Sequence, residues 1–124
     1  MENLYIPKTL NSFEVDFNVS NGNCKLTGSS YPENAPEFFK PVFAWVNKYA
    51  SEIGEKINFI FTIDYLNSGS IKLTFELVEL LDKLNKVGID VNIDWHYKYI
   101  DEDIKELGEE FVENVTCKFN LIED

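Results

Sequence analysis

The 124-residue sequence has few basic residues, two cysteines and a single histidine. Eleven Lys and Arg stand against twenty-two Asp and Glu, which gives a formal net charge of −11, and no basic cluster occurs along the chain. Because nucleic-acid affinity depends largely on cations that neutralise phosphates, this balance argues against a nucleic-acid partner. It also disfavours binding to an anionic membrane surface.

Long apolar runs and clustered metal ligands are missing as well. The N-terminus, MENLYIPKTL, lacks the regions of a signal peptide, and no run approaches the roughly 18 apolar residues of a membrane span, so a cytoplasmic location is expected. Cys24 and Cys117 lie far apart without a CxxC motif, which favours buried free thiols. His96 alone cannot build a usual zinc site and is expected to be partly buried at the end of a strand. No metal or cofactor is expected.

The sequence is rich in core-forming residues. It is 44% hydrophobic and 15% aromatic, with ten Phe and six Tyr. A chain of this length buries about two thirds of the surface that its unfolded form exposes, so we predict one domain over residues 1–124. Six aromatic residues are surplus to those that the periodic core positions require. They either complete the core or form an exposed patch that recognises a partner. These are Tyr31, Phe38, Trp45, Tyr65, Tyr97 and Tyr99.

Period-two alternation and one apolar run predict the strands. Residues 13–19 and 24–28 flank the turn residues Asn21 and Gly22 and form a predicted β-hairpin. Residues 4–6 form either a short extra strand or an ordered arm. Further strands are predicted at residues 57–63, 89–95 and 116–122.

Three helices are predicted between these strands from apolar residues at three- and four-residue spacing. The first follows Pro36 and ends at Gly54, and the second begins near Ile71 and ends at Gly88. Asp101 is expected to cap the third helix. The order β-β-α-β-α-β-α-β predicts an α/β layered domain with a mixed sheet and right-handed crossovers.

Two acidic clusters have simple structural explanations. Glu102 and Asp103 follow the predicted cap and suit the first turn of the third helix better than a metal site, which would need further oxygen ligands. Glu109 and Glu110 are expected to be solvated.

The segment DYLNSGSIK, residues 64–72, joins the central predicted strand to the second helix. Helix starts at strand ends favour anions, because unpaired N–H groups and the positive end of the helix dipole lie there. Ser68 or Ser70 could simply cap the helix while Gly69 eases the turn. A bound nucleotide phosphate is poorly supported, because neither GxxxxGK[ST] nor GxGxxG is present. A phosphorylated serine suits this position better.

Two motifs carry a resemblance to a known family. Ser30-Tyr31-Pro32-Glu33-Asn34 precedes the first helix and Tyr65-Leu66-Asn67-Ser68-Gly69-Ser70-Ile71-Lys72 precedes the second. In this order and spacing they resemble the SiaC family of bacterial regulatory phosphoproteins, and the match covers nearly the whole chain.

The resemblance implies a fold similar to the STAS domains of anti-sigma factor antagonists and a switching role without enzymatic activity. It implies a partner-switch serine kinase, a PP2C-type phosphatase and a downstream target similar to a GGDEF diguanylate cyclase, with links to cyclic di-GMP and biofilm formation. The family's phosphoacceptor is typically the threonine of YLNTSSIK, which falls on Ser68 here, with Ser70 as the runner-up. Gly69 stands where the family commonly has a hydroxyl residue.

The two motifs also supply the expected loop and partner-binding residues. These are Tyr65, Leu66, Asn67, Gly69, Ser70, Lys72, Tyr31, Pro32, Glu33 and Asn34. Two other interpretations stay open. The chain could be a small enzyme or a domain that binds an anion or nucleotide through the same loop, or a constitutive interaction module whose serines only cap a helix.

Overall fold

A computed structural model describes residues 1–124, which form one six-stranded sheet and three helices. The elements are β1 Leu4–Ile6, β2 Glu14–Asn18, β3 Asn23–Ser30, α1 Ala35–Glu52, β4 Ile57–Leu66, α2 Ser68–Lys86, β5 Val91–Tyr97, α3 Glu102–Asn114 and β6 Lys118–Glu123. The predicted α/β order is confirmed, and residues 4–6 form an additional strand. None of the three helices has the length and apolar character needed to cross a membrane.

The sheet order is the same as the chain order, β1-β2-β3-β4-β5-β6. β1 pairs with β2 and β2 with β3 in antiparallel orientation, whereas β3, β4, β5 and β6 run parallel to one another. Each helix therefore joins two adjacent parallel strands. Because such crossovers are right-handed, successive crossovers in one direction place all three helices on the same face of the sheet.

The core lies between that face and the helices. Four fully buried aromatic rings on β2, β4 and β5 each pack against the next at centroid distances of 4.9 to 5.4 Å, in the order Phe17, Phe59, Phe61 and Trp95. Trp95 also donates a hydrogen bond from Nε1 to the carbonyl of Ile104, 2.9 Å away, so its polar group is satisfied inside the core.

Two of the six surplus aromatic residues complete this core. Trp45 is buried against Phe17 and stacks on Tyr49, and Tyr97 is also buried. Phe38 is partly buried and packs at the edge of the core. Only Tyr31, Tyr65 and Tyr99 are exposed. The predicted patch is thus reduced to three tyrosines.

The opposite face of the sheet carries no helix and is polar, as the alternation in β5 predicted. A ladder of amides crosses three strands of this face. Asn92 donates to the side chain of Asn58 at 2.8 Å, and Asn120 donates to Asn92 at 3.0 Å and to Asp94 at 2.9 Å. These side chains therefore satisfy one another's hydrogen-bonding groups.

Both cysteines are buried and unpaired, as expected. Burial raises the pKa of the Cys24 thiol and raises that of Cys117 to about 11, so both stay protonated at neutral pH. His96 is half-buried at the end of β5, with Nδ1 2.8 Å from the Asp124 carboxylate. No group of three or more His, Cys, Asp or Glu side chains is placed to hold a metal ion.

Gly108 in α3 allows the helix to pack closely on the sheet. A Cβ atom at this position would lie 2.5 Å from Cδ1 of Trp95 and 2.6 Å from Cδ2 of Leu121. Gly108→Ala should therefore destabilise the fold by about 1–3 kcal/mol, because overpacking outweighs the helix propensity of alanine. Urea unfolding checks this value.

Gly69→Ala is the matched control, because Gly69 is also helical and its Cβ would meet Ala35 Cβ at 3.7 Å and Asn67 Oδ1 at 3.9 Å, which are ordinary contact distances. We expect no destabilisation from it. Equal stabilities for the two alanine variants would contradict the packing role of Gly108.

Candidate functional site

The candidate site lies at one edge of the sheet. Strands β3, β4 and β5 are parallel, so their carboxyl ends meet there and the helices α1, α2 and α3 start there. The connections at this edge are residues 31–34, Asn67 alone, and residues 98–101. Loops that gather at such an edge are where open α/β sheets place functional residues.

Most of the segment DYLNSGSIK belongs to regular structure. Asp64, Tyr65 and Leu66 extend β4, and α2 starts at Ser68, one turn earlier than the predicted start near Ile71. The prediction of a loop was therefore wrong at both ends, because the apolar periodicity of α2 begins only after its first turn.

Asn67, rather than Ser68 or Ser70, is the N-cap of α2. Its Oδ1 accepts a hydrogen bond from the backbone N–H of Ser70 at 2.9 Å, and its own N–H donates to the Ser30 carbonyl at 3.0 Å. Asparagine is among the best N-cap residues, and it leaves the Ser68 hydroxyl free of a capping role.

The two serines of the motif lie in opposite environments. Ser68 is exposed, whereas Ser70 is 0% exposed, and its hydroxyl lies 2.8 Å from the hydroxyl of Ser30. Thr74 donates from its hydroxyl to the Ser70 carbonyl one turn earlier at 2.7 Å. The buried hydroxyl pair ties the end of β3 to the start of α2.

Gly69 is exposed in the first turn of α2 and does not have a positive φ. Its expected role in easing a turn is therefore wrong, since no turn of that kind forms here. Lys72 is exposed one turn after Ser68.

The first motif lies directly beside the second. The rings of Tyr31 and Tyr65 meet edge-to-face with centroids 5.8 Å apart, and the two side chains are 39% and 54% exposed. Asn34 caps α1 by accepting from the N–H of Glu37 at 3.2 Å. Pro32 is half-buried and Glu33 is exposed.

Further exposed apolar residues lie at this edge. Tyr99 and Ile100 are 75% and 81% exposed in the connection between β5 and α3. Leu10 is also exposed, and the neighbouring Asn11 accepts a backbone hydrogen bond from Tyr31. We call the surface formed by these residues the strand-end face, and it comprises Leu10, Tyr31, Tyr65, Ser68, Tyr99 and Ile100.

The charges around Ser68 are uneven. The first turn of α2 contains no acidic residue, although α1 has Glu37 and α3 has Glu102 and Asp103 at the same place. The start of α2 therefore keeps the uncompensated positive end of its dipole. Asp64 at the end of β4 pairs with Lys98 at 3.3 Å.

A groove of about 360 Å³ runs beside this face, between the first halves of α2 and α3. Its polar lining consists of five carboxylates and no basic side chain. Sequence reasoning missed this groove and the exposed Leu10 and Ile100. The signal for its α3 wall was present, since Asp103, Glu106 and Glu110 follow helical spacing.

The chain is a layered α/β domain with one exposed serine at a helix start, beside exposed aromatic residues. This is the architecture of a regulatory phosphoprotein domain. The family model described as SiaC family regulatory phosphoprotein matches residues 6–124, so the chain belongs to the SiaC family. The predicted family and its regulatory, noncatalytic class are confirmed.

Relatives in Pseudomonas aeruginosa agree with this membership. An uncharacterized protein of strain UCBPP-PA14 is 32% identical over 121 residues, which are 98% of this chain and 96% of the relative. The structure of SiaC from P. aeruginosa matches with a TM-score of 0.93 at 30% identity and covers 100% of both chains. The crystal structure of the diguanylate cyclase SiaD in complex with its activator SiaC matches with a TM-score of 0.92 at 30% identity, over 98% of this chain and 99% of the matched chain.

Proposed function

We propose that reversible phosphorylation of Ser68 switches the binding of this chain to a diguanylate cyclase. The single observation that carries the proposal is the contrast between the two serines of the motif. Ser68 offers an exposed hydroxyl in the middle of the strand-end face, whereas the Ser70 hydroxyl is buried against Ser30. A kinase can reach the first without unfolding the start of α2.

The fold tolerates a phosphate at this place. The cap of α2 is Asn67, so modification of Ser68 breaks no capping bond. A phosphoserine carries about −1.5 to −2 charge and would lie at the positive end of the helix dipole, in a first turn without acids. Phosphorylation therefore changes the surface without unfolding the domain.

The likeness to SiaC in its complex with the cyclase SiaD supports a diguanylate cyclase as the partner of this chain. The strand-end face is suited to such a contact, because exposed aromatic and aliphatic residues are concentrated there. The exposed residues of the two motifs take part in the same contact, and these are Tyr31, Glu33, Asn34, Tyr65, Gly69 and Lys72. Leu66 and Ser70 are buried and support this surface from below. Through the cyclase, the switch would act on cyclic di-GMP and biofilm formation.

A serine kinase and a PP2C-type phosphatase would add and remove the phosphate. We place this cycle in the cytoplasm, where a kinase finds its nucleotide and where free thiols such as Cys24 and Cys117 persist.

The charge of the neighbouring groove disfavours the rival function, a domain that binds an anion or a nucleotide. Five carboxylates line the groove beside Ser68 and would repel a phosphate ligand. Phosphorylation, by contrast, needs an exposed hydroxyl, and Ser68 provides one.

Phosphopeptide mapping of the protein purified from its host tests the proposal. We expect a phosphate on Ser68 that treatment with a PP2C-type phosphatase removes, and an unmodified Ser70 as the internal control. A peptide that stays unmodified while the kinase is active, or a phosphate on Ser70 alone, would count against the switch at Ser68.

A further inference from the structure

The groove beside the strand-end face forms where two helices diverge. α2 and α3 both start at the strand ends and meet through Phe75 and Phe111, whose ring centroids are 4.6 Å apart. Toward the strand ends the groove opens between them, with an apolar lining from Ile71 on α2 and from Ile104 and Leu107 on α3. An apolar depression beside a recognition surface is a common place for a partner to dock.

One wall of the groove is acidic. Asp103, Glu106 and Glu110 follow one another on α3 at spacings of three and four residues, so they lie on one side of the helix. All three are exposed, and none forms an ion pair, since the salt bridges of the chain involve other residues. The remaining acids already have partners, because Asp64 pairs with Lys98 and Asp101 caps α3.

We propose that this groove receives a basic amphipathic helix of the partner. The inference rests on the proposed function, because it specifies which part of the partner meets the site. Apolar side chains of such a helix would enter between Ile71 and Leu107, and its Lys or Arg side chains would pair with the α3 wall. A groove between two helices suits a third helix, which packs its ridge of side chains into it. Anionic ligands and anionic membranes are repelled by the same wall.

The groove and Ser68 act on different sides of the docked helix. Ser68 precedes Ile71, the α2 residue that lines the groove, by three residues, so it lies one turn away beside the end of the groove. A helix that turns its basic residues toward α3 brings its other flank to Ser68. The acidic wall thus provides affinity, and the state of Ser68 controls this affinity from the start of α2.

A designed peptide tests the groove on the unmodified full-length protein. The labelled peptide, of about 18 residues so that a helix can form on binding, carries Leu on one face, Lys on the flank that would meet α3 and Gln on the other flank. A second peptide has Glu in place of each Lys. The groove variant is Asp103→Asn/Glu106→Gln/Glu110→Gln. The control variant, Glu55→Gln/Glu76→Gln/Glu113→Gln, removes the same charge at exposed positions outside the groove.

We expect the Lys peptide to bind and the groove variant to weaken its binding by about tenfold or more, as measured by fluorescence anisotropy. The control variant should weaken it less than about threefold at roughly 0.15 M salt, where distant charges are screened. Equal losses in both variants would show that only the net charge matters and would overturn the proposal. Equal binding of the Glu peptide would overturn it as well.

The same variants, titrated with the cognate diguanylate cyclase, separate the groove from the switch. We expect the groove variant to lose cyclase affinity and the control to keep it. Normal cyclase binding by the groove variant would overturn the groove assignment and leave control by Ser68 intact. Loss of binding in the groove variant, with no effect of Ser68 phosphorylation, would support the groove and reject the switch.

Discussion

Phosphorylation of Ser68 should weaken the binding of this chain to its diguanylate cyclase partner by about a hundredfold or more. The phosphate would add about −1.5 to −2 charge next to Tyr31 and Tyr65, in a surface that the partner must desolvate. Of the cations nearby, Lys98 is already paired with Asp64, and the single charge of the exposed Lys72, one turn after Ser68, can offset only part of the charge of a phosphate. Burying a charge without a partner costs several kcal/mol, and a hundredfold loss corresponds to about 2.7 kcal/mol.

Calorimetric titration of the cyclase with the unmodified and the phosphorylated protein measures this difference. Ser68→Ala should keep the fold and the affinity of the unmodified protein, and the kinase should no longer change either. Ser68→Asp should reproduce only part of the effect, because aspartate has less charge and fewer acceptor oxygens than a phosphate.

Ser51→Asp is the matched control, since Ser51 is an exposed serine near the other end of α1. It adds the same charge far from the strand-end face and should leave the affinity nearly unchanged. Tighter binding of the phosphorylated protein would reverse the assignment of the active state. An effect of Ser51→Asp as large as that of Ser68→Asp would show that total charge, not position, controls binding.

Removal of the Asp82 carboxylate should cause the largest loss of stability among single polar substitutions. Asp82 is 5% exposed, and its Oδ1 accepts hydrogen bonds from Thr116 N–H at 2.8 Å, Thr116 Oγ1 at 3.0 Å and Cys117 N–H at 2.9 Å. Asp82→Ala leaves the backbone N–H groups of Thr116 and of the buried Cys117 without this acceptor. We expect a cost of about 3 kcal/mol, measured by urea unfolding at pH 7.

The pH dependence of stability separates the contribution of the charge of Asp82 from the contribution of its side-chain shape. Burial by itself would raise the pKa of Asp82, but the hydrogen bonds from Thr116 and Cys117, together with Lys86, lower the pKa below its ordinary value of 3.8. A carboxyl whose pKa is depressed on folding stabilises the fold above its unfolded pKa and loses this contribution as the pH falls through its folded pKa. The stability difference between the wild type and Asp82→Asn should therefore be full at neutral pH and shrink below pH 3.8.

Lys86→Met is the control for the ion pair. Its ammonium lies 3.4 Å from Asp82 and its side chain is 59% exposed, so its loss should cost less than about 1 kcal/mol. A Lys86 variant as unstable as Asp82→Ala would mean that the ion pair, not the backbone hydrogen bonds, holds the start of β6 to α2. A difference between the wild type and Asp82→Asn that grows in acid would contradict the assigned direction of the pKa shift.

Much of the fold could be predicted from the sequence because the signals are local. Apolar residues repeat every second residue in β5 and every third or fourth in the helices. Asp101 caps the start of α3 with its side chain, and Gly54 follows the end of α1. Gly54 has a φ of 64°, a conformation that glycine adopts without strain. The start of α2 could not be predicted in this way, because its first turn, SGS, carries no apolar residue.

The surplus aromatic residues show the limit of composition. Trp45 and Tyr97 are buried while Tyr31 and Tyr65 are exposed, a difference that composition does not show. Burial depends on which face of the sheet and which helix a residue meets, and that depends on strand order. Strand order cannot be read directly from the sequence.

The sequence by itself determined the order of strands and helices, the acidic net charge that argues against a nucleic-acid partner, and the motif that contains Ser68. Only the tertiary structure decided which serine is accessible. Ser30 and Ser70 are 40 residues apart in the chain, and they meet because β3 and β4 are adjacent and parallel. Periodicity and capping act over a few residues, whereas this contact, the pair of Tyr31 with Tyr65 and the acidic groove form only when the sheet brings distant segments to one edge.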